Sequence, residues 1–161
     1  MKEIPAITLW QPWASLLACG AKKYETRSWP IKYRGPIAIH AAAKKPSSIW
    51  GIIEGIIDEV RAALGIADPD DLPRGAIIAV GELVGCHRIV EPAKIEGMIS
   101  TGKMITPEFP VSVYGNEYYF GDWTPGRYAW EFAKIKMLPE PIPAKGAQGL
   151  WKWQVPEGVE I

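Results

Sequence analysis

The residues with the most chemical potential lie between positions 11 and 29, where Gln11 and Trp13 precede Gly20-Ala21-Lys22-Lys23-Tyr24-Glu25-Thr26-Arg27-Ser28-Trp29. Pro12 suits the first turn of a helix and Gly20 suits the stop just beyond its last residue, so a short helix followed by a strand is expected. In a strand beginning near Lys23, alternation sends Glu25, Arg27 and Trp29 to one face and Tyr24, Thr26 and Ser28 to the other. An acid, a base and an aromatic ring then share a face. Such a set suits a binding site, with Arg27 for a phosphate, Glu25 for an amino group on a base and Lys22 close by. It equally suits an edge strand carrying a surface ion pair and a tryptophan that covers the core. If Lys22 lies partly buried beside Arg27, desolvation and like charge lower its pKa toward that of a general base, and Glu25 opposes the shift.

A second chemically suggestive stretch is Lys145-Gly146-Ala147-Gln148-Gly149. Its glycines permit close backbone approach to a ligand, Lys145 supplies a point charge, and Gln148 has the donor and acceptor that a base edge needs. A tight hairpin turn with a solvated lysine is the alternative. Eight tryptophans belong to the same question. Trp50 reads as a core anchor, whereas most of the others sit beside Gly, Pro, Lys or Arg at expected strand ends and turns. Flat rings interleaved with cations are what unstacked bases require; the other reading is that the rings pack a barrel.

The elements that must position these residues follow from periodicity. Residues 6–9 form a short strand, and residues 37–41 a compact apolar one ending beside His40. From Pro46 to Leu64, Ile49, Ile52, Ile53, Ile56, Ile57, Val60 and Leu64 recur at helical intervals, with acids between them as a solvated face and Gly65 as the stop. Residues 76–90 form a long β-prone run in which Gly81 and Gly85 mark a bend or bulge. After Glu91-Pro92 a weak helix reaches Ser100, and residues 101–121, with two prolines, three glycines and no helical period, read as a flap. A strand over 127–137 alternates Tyr128, Trp130 and Phe132 with Arg127, Ala129 and Glu131. Pro139, Pro141 and Pro143 then impose an extended edge segment before a last strand at 150–155. The expected fold is α+β: a small barrel of mixed strands with a short N-terminal helix and one longer amphipathic helix.

Composition narrows the class. The 161 residues, 48% of them hydrophobic, fit one domain spanning 1–161. The N-terminus has no signal-peptide pattern and no apolar run is long enough for a membrane span, so a cytoplasmic protein without membrane contact is expected. Cys19 and Cys86 form no metal-ligand spacing with each other or with His40 and His87, and neither a metal nor a cofactor is expected. Formal net charge is zero, so no whole-molecule field draws nucleic acid. The bases cluster in the first third, however, which leaves room for a local basic patch.

The stretches Ile7-Thr8-Leu9-Trp10-Gln11-Pro12-Trp13-Ala14, Gly20-x-Lys22-x-x-Glu25-x-Arg27, Tyr33-Arg34-Gly35-Pro36-Ile37-Ala38-Ile39-His40-Ala41 and Gly126-Arg127-Tyr128-Ala129-Trp130-Glu131 resemble the ASCH domain, the activating-signal-cointegrator homology family of the PUA-like superfamily. The resemblance spans nearly the whole chain. It implies a PUA-like β-barrel and a cleft beside the Gly-x-Lys-x-x-Glu-x-Arg motif that binds single-stranded RNA or a modified nucleoside or nucleotide. Gln11, Trp13, Arg27, Trp29, His40, Lys145 and Gln148 are the candidate ligand-binding residues. Some members are similar to amidohydrolases of N4-acetylcytidine that use a lysine, a threonine three residues later and a downstream glutamate. Lys22 matches the lysine, but Glu25 occupies the threonine position, so the hydroxyl nucleophile is missing; Glu82 lies in the strand where the downstream acid is expected. Other members are proposed to cut single-stranded RNA, for which Lys22, His40 and Arg27 supply a base and cations. The preferred reading is a binding protein. A metal-independent hydrolase with Lys22, Glu25 and Glu82 as catalytic candidates is the alternative, and a protein-interaction module is the third.

Overall fold

A computed structural model describes residues 2–90, 103–105 and 110–161 of the chain. The first strand, β1 (Glu3–Leu9), is followed by α1 (Trp13–Ala18), β2 (Tyr24–Arg27) and β3 (Gly35–Ala41). A helical stretch over 46–64 leads to β4 (Ala76–Val90), the short strands β5 (Lys103–Ile105) and β6 (Pro110–Ser112), a one-turn helix, β7 (Tyr128–Pro143) and β8 (Leu150–Gln154). The main path of the sheet runs β2-β7-β4-β3-β1-β8, with β5 paired to β4 and β6 to β5. Among the described residues only β1 and β3 run parallel, with Thr8 opposite His40; the other pairs are antiparallel. This mixed sheet curls into a half-barrel, the α+β architecture expected from the sequence.

Its curl has a local cause. The long strands β4 and β7 lose register between Ile77 and Ala79, Val80 and Glu82, and Leu83 and Gly85. Each irregularity adds twist, as β-bulges do. Gly81 sits where a Cβ would meet Ile135 Cγ1 at 2.7 Å, so the two strands approach too closely there for any larger residue. The expected bend at Gly81 and Gly85 is thus present, and β7 continues the ladder through the proline segment to Pro143.

Inside the curl, α1 buries Ala14, Leu16, Leu17 and Ala18. Leu17 and Ala18 pack with Ile7, Ile37, Ile39, Leu83, Trp130 and Phe132. The helix begins after Pro12, and its start is held by Gln11, whose Oε1 accepts from the Ser15 backbone N–H at 3.0 Å.

The long amphipathic helix expected over 46–64 is interrupted. A 3₁₀ turn at Pro46–Ile49 passes into α2 (Trp50–Ile53), a second 3₁₀ turn at Glu54–Ile56, and α3 (Ile57–Leu64), which Gly65 ends in the left-handed conformation. Gly51 and Gly55, set among β-branched isoleucines, weaken the α-helix where it breaks. The break rotates the faces: Ile52 is 59% exposed and Trp50 is 41% exposed, so Trp50 is not the core anchor expected. The segment expected as a flap holds β5, β6 and a one-turn helix, α4 (Gly115–Tyr119), while the weak helix expected up to Ser100 lies outside the described residues.

Candidate functional site

A cleft of about 690 Å³ opens at the seam between β2 and the β1 and β8 side of the sheet. Arg27 and Trp29 form one wall, Thr8 and Trp10 the end of β1, His40 the floor, and Lys145 to Gly149 the opposite rim. Two tryptophans, Arg27 and Lys145 line it, and no carboxylate does. A concave site of this size, largely apolar with a few convergent polar groups, is what a small ligand or a nucleotide needs.

Each wall has a structural reason. Arg27 is the last residue of β2, and its Nη2 donates to the Thr8 carbonyl at 2.9 Å. The buried Arg27 Nε–H has no hydrogen-bond partner within the protein. Trp29 stands edge-on to the fully buried Trp130, with ring centroids 4.6 Å apart, and its carbonyl accepts from Trp130 Nε1. Trp10 is 44% exposed and carries the Lys44 ammonium 4.4 Å above its ring, a cation–π contact at the mouth of the cleft.

His40 is fixed by its neighbours. Its Nε2 lies 2.7 Å from the Ala144 carbonyl, which can only accept, so that nitrogen carries the proton. In the neutral ring Nδ1 is therefore an acceptor and takes the Thr8 hydroxyl proton at 3.1 Å, while Thr8 Oγ1 accepts from Trp151 Nε1 at 3.0 Å. Burial pushes the His40 pKa below its ordinary value, and the hydrogen bond to Ala144 opposes this more weakly. Both ring nitrogens are engaged, which makes His40 a floor that ties β3 to the Lys145 loop. Gly146 passes so close that an added Cβ would lie 2.6 Å from His40 and from Thr8 Oγ1.

Of the candidates read from the sequence, Arg27, Trp29, His40, Lys145 and Gln148 share this cleft. Glu25 and Trp13 line a separate cavity of about 310 Å³. Lys22 lines neither cavity: it is buried, donates to the Phe120 carbonyl at 3.0 Å and stands 3.8 Å from Glu25 Oε2. Gln11 is fully buried and bonds Ser15 and the Pro73 carbonyl, a helix-fixing role. Glu82 faces a third groove, 3.9 Å from Lys134. Lys22 and Glu25 are thus neighbours, and Glu82 is not with them. Among the described residues no group of three or more His, Cys, Asp or Glu side chains converges to hold a metal, and no helix is long and apolar enough to cross a membrane.

The sequence reading did not select Thr8, Trp10 or Glu117. Thr8 is a hydroxyl at an inner position of an otherwise apolar strand, a signal that was present. Glu117 carried none: it reaches back from α4 to accept the backbone N–H groups of Lys23 and Tyr24, both at 2.8 Å, and so holds the start of β2. Burial raises its pKa, and those two hydrogen bonds partly offset the rise. Partial burial, with the Glu131 and Glu117 charges added, pushes the pKa of the Tyr24 hydroxyl up to about 12.

Comparison with known proteins adds to the geometry. Activating signal cointegrator 1 of Homo sapiens is 35% identical over 86 residues, and its Mus musculus counterpart 33% over 86. In each case the match covers 50% of this chain and 14% of the relative. The model of the ASCH domain matches residues 7–142, a stretch that holds the Lys22 to Arg27 motif, the floor histidine and both long strands, and the chain therefore belongs to the ASCH domain family.

Proposed function

We propose that the cleft at Arg27 binds single-stranded RNA or a nucleotide, as an ASCH domain whose family is associated with RNA binding. The observation that carries this reading is the lining itself: two indoles and two cationic side chains without a carboxylate. Bases present π-faces to the indoles, and phosphates need cations. The fixed position of Arg27 adds a second argument, because its Nη2 is already held by the Thr8 carbonyl and the cation needs little ordering when a phosphate arrives. Lys145 and Lys44 at the rim suit flanking phosphates. Gln148 on the glycine loop suits a base edge, since its amide both donates and accepts.

Binding is the preferred activity. His40 has no free ring nitrogen to act as a base, and Lys22 does not reach the cleft. The test is a titration of the protein with short single-stranded RNA, followed by tryptophan fluorescence and repeated at several salt concentrations. Quenching with saturation, and a logarithmic salt slope of about 1–3, are expected from a site with few cations. Absence of saturable binding by RNA and by mononucleotides would refute the reading.

A further inference from the structure

Two residues before Arg27 on the same face of β2, Glu25 points into the second cavity, which differs in every respect from the first. Its lining holds two carboxylates, Glu25 and Asp122, and no basic side chain. The walls are apolar: Trp13, Ile52, Ile56 and Tyr119. Two of these stand at the rim with large exposed surfaces, Ile52 at 59% and Tyr119 at 54%. An apolar funnel with an acidic floor accepts an alkyl chain that ends in a cation.

The two acids are not equivalent. Asp122 is already committed, since Oδ1 accepts from the Thr124 hydroxyl at 2.6 Å and Oδ2 lies 3.4 Å from Arg127 Nε. Glu25 is not. Its Oε2 is buried with no hydrogen-bond donor, because Lys22 Nζ stands off at 3.8 Å and gives its bond to the Phe120 carbonyl. Lys22 neutralises the Glu25 charge in part, gives that enclosed oxygen no hydrogen bond, and leaves the partly exposed remainder of the carboxylate to face the cavity. A guanidinium fits this site better than an ammonium, because its planar fork reaches a carboxylate while its face lies against an indole or phenol ring. Phosphate is disfavoured here by the two acids, so nucleic acid and this occupant belong to different cavities.

We propose that this pocket docks an arginine side chain presented by a partner protein, with the alkyl stem between Trp13 and Ile52 and the guanidinium on the Glu25 carboxylate. The proposal does not depend on the ligand of the Arg27 cleft. An ASCH domain built this way can hold RNA in one cavity and a protein in the other.

The test uses end-blocked Gly-Gly-Arg-Gly-Gly and its lysine and citrulline counterparts, titrated into the full chain and followed by NMR of the tryptophan indole N–H groups and backbone amides. The arginine peptide should shift the Trp13 indole and residues 25 and 119–122 saturably, with affinity at least threefold above the lysine peptide and tenfold above the citrulline peptide. Glu25→Gln should lower that affinity at least tenfold. Because this change also leaves Lys22 buried beside a neutral side chain, Ile52→Ser on the exposed rim serves as the second variant and should weaken binding about threefold with the fold intact. Equal binding of the citrulline peptide, or no effect of Ile52→Ser in a folded protein, would overturn the proposal. So would shifts centred on Trp10 and Trp29, or spermidine binding as tightly as the arginine peptide.

Discussion

Arg27 Nη2 spans to the Thr8 carbonyl at 2.9 Å across a seam where β2 and β1 share no ladder. One guanidinium therefore does two jobs, closing the edge of the half-barrel and standing as a fixed cation on the wall of the cleft. Arg27→Gln should lower oligonucleotide affinity and reduce the salt slope by about one, since one phosphate contact is lost. It should also cost about 1–3 kcal/mol in urea denaturation, because the Thr8 carbonyl loses a charged donor. Arg27→Lys should recover part of the salt slope but little of the stability. Unchanged salt dependence in Arg27→Gln would remove the residue from the site.

Stability should depend on pH through His40. Burial holds its folded-state pKa below the ordinary value of 6.5, so the native protein keeps the neutral ring that accepts from Thr8. The unfolded chain takes up a proton as pH falls through about 6.5, whereas the folded one does so only lower down. The His40 contribution to stability is therefore full above the unfolded value and is lost progressively as pH falls toward the lower folded value, below which the loss persists. Urea denaturation at pH 7.5 and 5.5 should therefore show lower stability at the lower pH, with this group contributing to the loss. His40→Gln should flatten the dependence, and an unaltered slope in that variant would assign it to other groups.

Much of this arrangement was legible in the sequence. Along β2 Thr26 is buried against Gly121 while Glu25 and Arg27 are only partly buried, although Thr26 also lines the second cavity beside Glu25. Hydrophobic periodicity located the long strands, and the glycines of β4 marked the bends. What one-dimensional patterns do not carry is where the sheet fails to close. That seam sends Arg27 and Glu25, two residues apart, into different cavities. Lys22 shares their motif but precedes the strand, so alternation does not govern it, and it turns inward to the Phe120 carbonyl. Gln11 looked like a ligand residue because a buried glutamine that fixes a helix start has the same composition signal. Trp50 was misread because the helix period assumes an unbroken helix, and Gly51 and Gly55 break it.

The tryptophans divide by exposure, and mutation should separate them. Trp10→Ala, at the exposed mouth of the cleft, should weaken RNA binding by about 1–3 kcal/mol if a base stacks there, with little change in stability. Trp130→Ala should instead cost about 3–5 kcal/mol of stability, since that ring is fully buried. Trp13→Ala should leave RNA affinity near that of the native chain, because Trp13 lines the other cavity. Fluorescence titration and urea denaturation of the three variants decide the matter; loss of RNA binding in Trp13→Ala with Trp10→Ala unaffected would relocate the site.

Gly146 offers the most localised test of the cleft. An added Cβ there would sit 2.6 Å from His40 Nδ1, His40 Cε1 and Thr8 Oγ1, closer than atoms in folded proteins tolerate. None of these is the loose end of a flexible chain. His40 is held at Ala144, and Thr8 is held by Trp151, so neither can yield without breaking a hydrogen bond. The loop must therefore move outward, taking Lys145 and Gln148 away from Arg27 and Trp29. Gly146→Ala should destabilise the fold by about 1–3 kcal/mol, as an overpacked contact does. It should also weaken RNA binding more than Lys145→Ala alone, because it displaces the whole rim rather than one charge. The indole N–H resonance of Trp151 should shift, reporting the broken bond to Thr8. A Gly146→Ala protein with native stability and an unmoved Trp151 resonance would show that the loop does not depend on this close approach, whereas a displaced loop with native RNA affinity would take the Lys145 to Gly149 rim out of the binding site.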